Sequence, residues 1–356
     1  MRKLENILVT GGAGFIGSNF IRYVFNKTDF TGKIINLDKL TYAGNPESLT
    51  DIETLYGQER YFFIHGDVCD PVLADDIFKK HKIDTVVHFA AESHVDRSIH
   101  GPAEFMKTNI MGTFTLLETA RKFWKRTDEV LFHHISTDEV YGSLGDTGFF
   151  YEDTSYDPRS PYSASKASSD HIVLAYYHTY GLPVTISNCS NNYGPYQFPE
   201  KLIPVIISNI KDEKSLPVYG DGKNIRDWLF VDDHNSAVWK ILNDGRNGET
   251  YNVGGENEWE NIKLVNVLCE KMAIINGYEK NHYKKLITYI KDRPGHDRRY
   301  AINCDKIKNE LGWKQSLTFE EGLDITIKWY LDNHDWINKI SSGEYLKWIE
   351  KNYNQR

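Results

Sequence analysis

The run Asn6-Ile7-Leu8-Val9-Thr10 passes without a spacer into Gly11-Gly12-Ala13-Gly14-Phe15-Ile16-Gly17. A short β-branched strand, a glycine-rich turn and a helix start in that order constrain the fold more than any other feature. The glycines Gly11, Gly14 and Gly17 allow a tight turn and let the backbone approach a pyrophosphate, whose charge sits at the helix N-terminus. A plain tight turn also uses glycine, but the strand–turn–helix context favours a dinucleotide site. About twenty residues on, Asp38 closes the next apolar run, Ile34-Ile35-Asn36-Leu37. A carboxylate there accepts a ribose 2′-hydroxyl and repels a 2′-phosphate, so the expected cofactor is NAD rather than NADP. Gly66-Asp67-Val68, after a third apolar run, is a candidate adenine-side loop.

The first half goes on alternating short apolar runs with longer helical stretches. Tyr61–Ile64, Thr85–Phe89 and Val130–Phe132 read as buried strands; Pro71–His81 and Pro102–Trp124 read as crossover helices. The expected fold class is α/β, a doubly wound parallel Rossmann-type sheet with a smaller mixed α/β substrate-binding domain. With 356 residues, two domains are expected. We place an NAD-binding domain carrying the catalytic residues at 1–188 and a mainly substrate-binding domain at 189–356. The boundary is soft, and strands beyond it are free to return to the first sheet. After it, turn signals (Tyr193-Gly194-Pro195, Gly220-Asp221-Gly222, Gly254-Gly255) separate helical segments near 199–212, 261–274 and 318–333.

Forty-two basic against 50 acidic residues leave a net charge of −8, so the expected partners exclude nucleic acid. The absence of 18 consecutive apolar residues argues against a membrane span, and the apolar run after Arg2 and Lys3 breaks too early for a secretory leader. The four cysteines show no Cys-x-x-Cys spacing, which suits a reducing, cytoplasmic setting. Thirteen histidines include no His-x3-His pattern, so no metal is expected. His133 and His134 are neighbours on a strand and are expected to face opposite ways, in core or interface.

Chemistry is carried by two segments. In Pro161-Tyr162-Ser163-Ala164-Ser165-Lys166, the tyrosine and lysine stand at i and i+4 on one helical face. The lysine ammonium is expected to lower the phenol toward neutrality and make Tyr162 a base for an alcohol proton. In Ser136-Thr137-Asp138-Glu139-Val140-Tyr141, at the carboxyl end of a strand, Thr137 is placed to bond a substrate hydroxyl. Alcohol oxidation needs one base, so the extra acids Asp138 and Glu139 point to a further proton transfer. An acidic helix start is the plainer alternative for that pair.

Gly11–Gly17, Ala90–Ser98 (AAESHVDRS), Ser136–Gly142, Tyr162–Lys166, Ser190–Pro204 (SNNYGPYQFPEKLIP) and Asp292–Arg299 (DRPGHDRR) together resemble the dTDP-glucose 4,6-dehydratase family. That family is a branch of the extended short-chain dehydrogenase/reductases, and the likeness runs from about residue 5 to 330. It implies conversion of dTDP-glucose to a 4-keto-6-deoxy sugar, with NAD recycled and Thr137, Asp138, Glu139, Tyr162 and Lys166 catalytic. It implies cofactor contacts at Gly11, Gly14, Phe15, Ile16, Gly17, Asp38 and Lys39, then at Asp67, Val68, Ala90, Ala91, Ser93 and Thr108. Tyr162, Lys166 and Asn192 complete that set. Substrate contacts are implied at Ser93, Thr137, Asn191, Lys201, Leu202 and Pro217, and at Tyr219, Arg226, Asn261, Arg293 and His296. An anionic diphosphate on a net-acidic protein needs concentrated cations, and Arg226, Arg293, His296, Arg298 and Arg299 are the candidates. Arg298 and Arg299 serve equally well as surface ion-pair partners. Asn188 stands where some family members carry arginine, which we read as a packing difference.

In the resembled family the helices around Pro102–Trp124 pair two subunits, so a homodimer is expected. Phe105, Ile110, Phe114, Leu117 and Ala120 recur there at helical spacing. Two rivals remain. A nucleotide-sugar 4-epimerase shares the dinucleotide site, Tyr162 and Lys166 but needs no acid pair. A non-catalytic NAD-sensing protein needs neither the tyrosine nor the lysine.

Overall fold

The computed structural model describes every residue except Met1, Lys3, Arg126, Arg293, Pro294 and 341–356. Its strands in chain order are β1 (Asn6–Thr10), β2 (Lys33–Asp38), β3 (Tyr61–His65), β4 (Thr85–His88), β5 (Leu131–Thr137) and β6 (Val184–Cys189). Then come β7 (Asn191–Tyr193), β8 (Leu216–Tyr219), β9 (Ile225–Phe230), β10 (Thr250–Val253), β11 (Glu258–Glu260) and β12 (Ile287–Ile290).

Seven strands form one parallel sheet in the order β10-β6-β5-β4-β1-β2-β3. Its register sets Leu8 opposite Ile35 on one side and Val86 on the other. Successive strand residues face opposite sides, so a strand covered on both faces must be apolar at consecutive positions. In β1, Leu8 joins the core under the helices Pro71–His81, Thr113–Phe123 and Pro161–Tyr180; Ile7 and Val9 join the core under Phe15–Lys27 and Val231–Asp244. The apolar runs therefore mark strands sandwiched between helix layers. The order reverses between β1 and β4, which opens a crevice at their carboxyl ends.

The chain does not divide cleanly near residue 188. β10 returns as the seventh strand beside β6, and the helix Val231–Asp244 lies on Phe15–Lys27. The remaining strands make two small sheets, β11-β9-β7 and β12-β8. Around them a separate core gathers Ile203, Ile206, Leu264, Leu268, Phe319 and Leu323.

The stretch 102–124 is not one regular helix. Pro102–Phe105 and Thr113–Phe123 are α-helical, but Met106–Gly112 is a π-turn. A π-turn widens the helix and upsets the 3.6-residue period, so the five apolar residues do not share one face. Phe105, Leu117 and Ala120 are buried, whereas Phe114 is 40% exposed. The turn also serves the site. Asn109 accepts from the Glu92 N–H at 2.8 Å and donates to the Glu92 carbonyl at 3.0 Å and to Ser165 Oγ at 2.8 Å. One side chain thus ties the crevice wall to the helix that carries Tyr162.

Candidate active site

A cavity occupies the crevice at the carboxyl ends of β1, β2, β4 and β5. Gly11 adopts φ +70°, and a Cβ there would lie 2.6 Å from the Ala90 nitrogen. At Gly17 a Cβ would lie 2.4 Å from the Gly11 carbonyl oxygen. The turn thus closes only with glycine at both places. At Gly14 the nearest such contact is 3.3 Å, leaving its backbone open toward the cavity. Phe15 and Ile16 also line it.

Asp38 faces the cavity with its orientation already set. Its Oδ2 accepts from the Ala13 N–H at 2.9 Å and its Oδ1 from the Leu40 N–H at 2.8 Å. Burial pushes its carboxyl above the usual range, against those two hydrogen bonds. Lys39 pairs with Asp67 at 2.9 Å, which neutralises the lysine beside the proposed ribose contact. Val68, Ala90, Ala91, Ser93, Thr108 and Asn192 line the same cavity. The backbone cradle, the oriented carboxylate and the wall from β4 fit a dinucleotide.

The cavity continues past Thr137, Asp138, Glu139, Tyr162 and Lys166. Thr137 ends β5 and caps the short turn Asp138–Tyr141, its hydroxyl accepting from the Glu139 N–H at 3.3 Å. Tyr162 and Lys166 sit in the first turns of the helix Pro161–Tyr180, whose start is fixed by a reciprocal Ser160–Ser163 capping box. Asp138 is fully buried; burial, then the Glu139 and Asp227 carboxylates, push it well above the ordinary carboxylate range. These effects favour its neutral carboxylic acid, the form that donates a proton.

The expected Lys166–Tyr162 coupling does not appear. Lys166 Nζ donates to the Ile135 carbonyl at 2.7 Å and lies 3.2 Å from His134 Nε2. Burial, then the Glu139 carboxylate, drive the Tyr162 phenol well above its usual value, and the Thr137 hydroxyl opposes them. Helical spacing placed the two residues on one face, but the strand beneath claims the ammonium.

Of the expected substrate contacts, Asn191 and Lys201 line the cavity with Ser93 and Thr137. Leu202 starts the next helix. The others lie outside the residues that line this cavity. Pro217 and Tyr219 lie on β8, and the Tyr219 hydroxyl donates to Asp96 at 3.1 Å. Arg226 on β9 is buried 4.2 Å over the Tyr300 ring, donating to the carbonyls of Ile225 and Asp297. Asn261 opens a helix with a buried Oδ1 lacking a partner among the described residues. His296 pairs with Asp292 at 2.6 Å. Arg293 lies outside the described residues.

Two candidate cations are taken. Arg298 pairs with Asp221 at 2.9 Å, and Arg299 grips Glu258 through Nε at 2.6 Å and Nη2 at 2.9 Å. Both act as structural ion pairs. Asn188 donates to the Tyr141 hydroxyl at 2.7 Å, below the site. His133 and His134 do face opposite ways: His133 bonds Thr185 and Ser187, His134 turns to Lys166. Sequence reasoning missed Ser136, Cys189, Gln197 and Glu200, which also line the cavity. Ser136, directly before Thr137, and Glu200, directly before Lys201, had an adjacent signal.

The family model described as GDP-mannose 4,6 dehydratase matches residues 8–326. A dTDP-glucose 4,6-dehydratase of Shigella flexneri is 54% identical, over 98% of this chain and 99% of its own. The crystal structure of a dTDP-glucose 4,6-dehydratase from Bacillus anthracis, in complex with NAD, is similar with TM-score 0.84 and 48% identity, covering 94% of this chain and 99% of that one. A UDP-glucose 4-epimerase from Thermotoga maritima, with UDP-glucose, reaches TM-score 0.81 at 29% identity, covering 92% and 99%. The fold is thus common to dehydratase and epimerase, while the sequence sides with the former: this chain belongs to the dTDP-glucose 4,6-dehydratase family.

Proposed function

We propose that the protein converts dTDP-glucose to dTDP-4-keto-6-deoxyglucose through the residues gathered in this cavity. NAD, seated on the Gly11–Gly17 turn against Asp38, supplies the acceptor for the C4 hydride and returns that hydride to C6. Tyr162, as the phenolate that the Thr137 hydroxyl favours against burial and Glu139, takes the 4-hydroxyl proton while Thr137 bonds the same hydroxyl. The 4-ketone so formed acidifies the C5–H bond. Glu139 removes the C5 proton, and Asp138 protonates the departing 6-hydroxyl, so water leaves and a C5–C6 double bond forms. Glu139 then gives its proton back to C5 as C6 is reduced. Lys166 holds the nicotinamide ribose.

The observation that carries this function is the placement of Asp138, buried directly beside Glu139 in the wall of the cavity that also holds Thr137 and Tyr162. Oxidation and re-reduction at C4 alone, as in an epimerase, leave such a pair without a task. Arg226, Asn261 and His296, with Pro217 and Tyr219, are assigned to the nucleotide diphosphate side of the substrate, so the segment after residue 188 mainly serves the sugar nucleotide. No described helix is long and apolar enough to cross a membrane; we place the protein in the cytoplasm. Met111, 50% exposed, and Phe114, 40% exposed, lie on one stretch of helix, which supports a homodimer through that surface.

The test is to incubate purified protein with dTDP-glucose and follow the alkali-induced absorbance of the 4-keto product. Absence of that product, with NAD bound, overturns the function. A 4-epimer in its place returns the epimerase.

A further inference from the structure

Tyr162, Lys166 and Asp170 follow one another at four-residue steps on the helix Pro161–Tyr180. Asp170 has no part in the chemistry above, yet it is fully buried. Its Oδ2 accepts from Ser136 Oγ at 2.7 Å and from the Tyr156 hydroxyl at 3.0 Å. Its Oδ1 lies 3.3 Å from His134 Nε2, and that same nitrogen lies 3.2 Å from Lys166 Nζ. One ring nitrogen therefore stands between the ammonium and a carboxylate. The other, Nδ1, and Asp170 Oδ1 itself have no hydrogen-bond partner among the described residues, so the carboxylate faces the ring as a charge while Nε2 bonds the ammonium.

A buried ammonium needs a counter-charge, and a buried carboxylate needs one too. Besides Lys166 and His134, the titratable groups facing this pair are few. They are His171 on the same helix, His88 on β4, Cys189 on β6, Tyr141 in the turn after β5, and Tyr156 in the loop before the helix. Burial keeps His88 and His134 neutral, so Asp170 is the nearest anion to Lys166 in this set.

We propose that Asp170, acting through His134, is a positioning residue: it supplies the counter-charge that keeps the buried Lys166 protonated and holds the ammonium at the end of β5. It rests on Lys166 working in the cavity as described above. With its lone pair at Nε2, His134 accepts from the ammonium and anchors it beside the Ile135 carbonyl. With a proton at Nε2, it donates to Asp170 and releases one of the ammonium's three donors. Burial pulls Lys166 down to about 8 and pushes Asp170 up to about 6. The lysine is thus poised close to losing its proton, and the neighbouring anion is what opposes that loss.

The test is Asp170→Asn in the NAD-loaded enzyme, which keeps the shape and an acceptor for Ser136 but removes the charge. Loss of a neighbouring anion lowers an ammonium pKa by about one unit or more. The alkaline limb of kcat is then expected to move down by about one pH unit, costing about fivefold at pH 8 and little at pH 6. NAD content stays at the wild-type level. A kcat profile superimposable on wild type, or one lowered equally at every pH, overturns the proposal. If that variant does not fold, His134→Gln carries the same comparison, and an unmoved limb there is equally fatal. Tyr162→Phe run in parallel separates the levels: a fully active Tyr162→Phe enzyme removes the proposed function itself, whereas an inactive one beside an unmoved Asp170→Asn profile removes only the positioning role.

Discussion

The Thr137 hydroxyl donates to Asp138 Oδ1 at 3.3 Å, tying the acid to the residue proposed to meet the substrate hydroxyl. Asp138, which burial pushes toward its protonated form, and Glu139 at the next position are the pair we propose to separate dehydration from simple oxidation.

Substrate deuterated at C4 should therefore give product deuterated at C6, with no crossover between differently labelled molecules, and in D₂O solvent deuterium should enter C5. Glu139→Gln should oxidise C4 and accumulate bound reduced cofactor, visible by its absorbance, without eliminating water. Asp138→Asn should slow departure of the 6-hydroxyl, because an amide is a poor acid. Label returned to C4 with inverted configuration would contradict the assignment.

Removing the phenol oxygen of Tyr162 should cost ~10²-fold or more in turnover while NAD stays bound. Tyr162→Phe with near-normal activity would take the residue out of its role as base.

Lys166 titrates near pH 8 because burial lowers it. Its ammonium is present below that pH and lost above it, so kcat/KM should decline as pH rises through about 8. Lys166→Met should turn over slowly at every pH and lack that limb; stopped-flow or steady-state rates from pH 6 to 9.5 decide the point.

A 2′-phosphate beside Asp38 places like charges together, worth ~4 kcal/mol at about 4 Å near a protein surface. Reconstitution of the apoprotein with NADP should then give at least ~10²-fold lower activity than with NAD. Asp38→Gly should narrow that gap. Equal activity with both cofactors would mean that Asp38 does not meet the ribose.

Met111 in the π-turn and Phe114 in the helix that follows it leave apolar surface exposed. Phe114→Asp should shift the protein toward monomer in sedimentation velocity, with helical content unchanged. A wild-type sedimentation coefficient in that variant would move the interface elsewhere.

Local rules sufficed for the dinucleotide half. The β-branched runs, the glycines at Gly11 and Gly17 and the acid at Asp38 each answer a short-range demand: a buried strand, a turn a Cβ would block, a strand-end carboxylate. The acid pair and the Tyr162–Lys166 spacing were legible for the same reason, since neighbours in sequence share a turn or a helix face. Long-range placement was not legible. That β10 returns beside β6, that Arg299 is consumed by Glu258, and that Lys166 turns to Ile135 and His134 rather than to the phenol depend on partners far away in the chain. Asp138 reads in sequence as one more carboxylate; only burial under the assembled core, where a charge loses its water, pushes it toward the protonated acid.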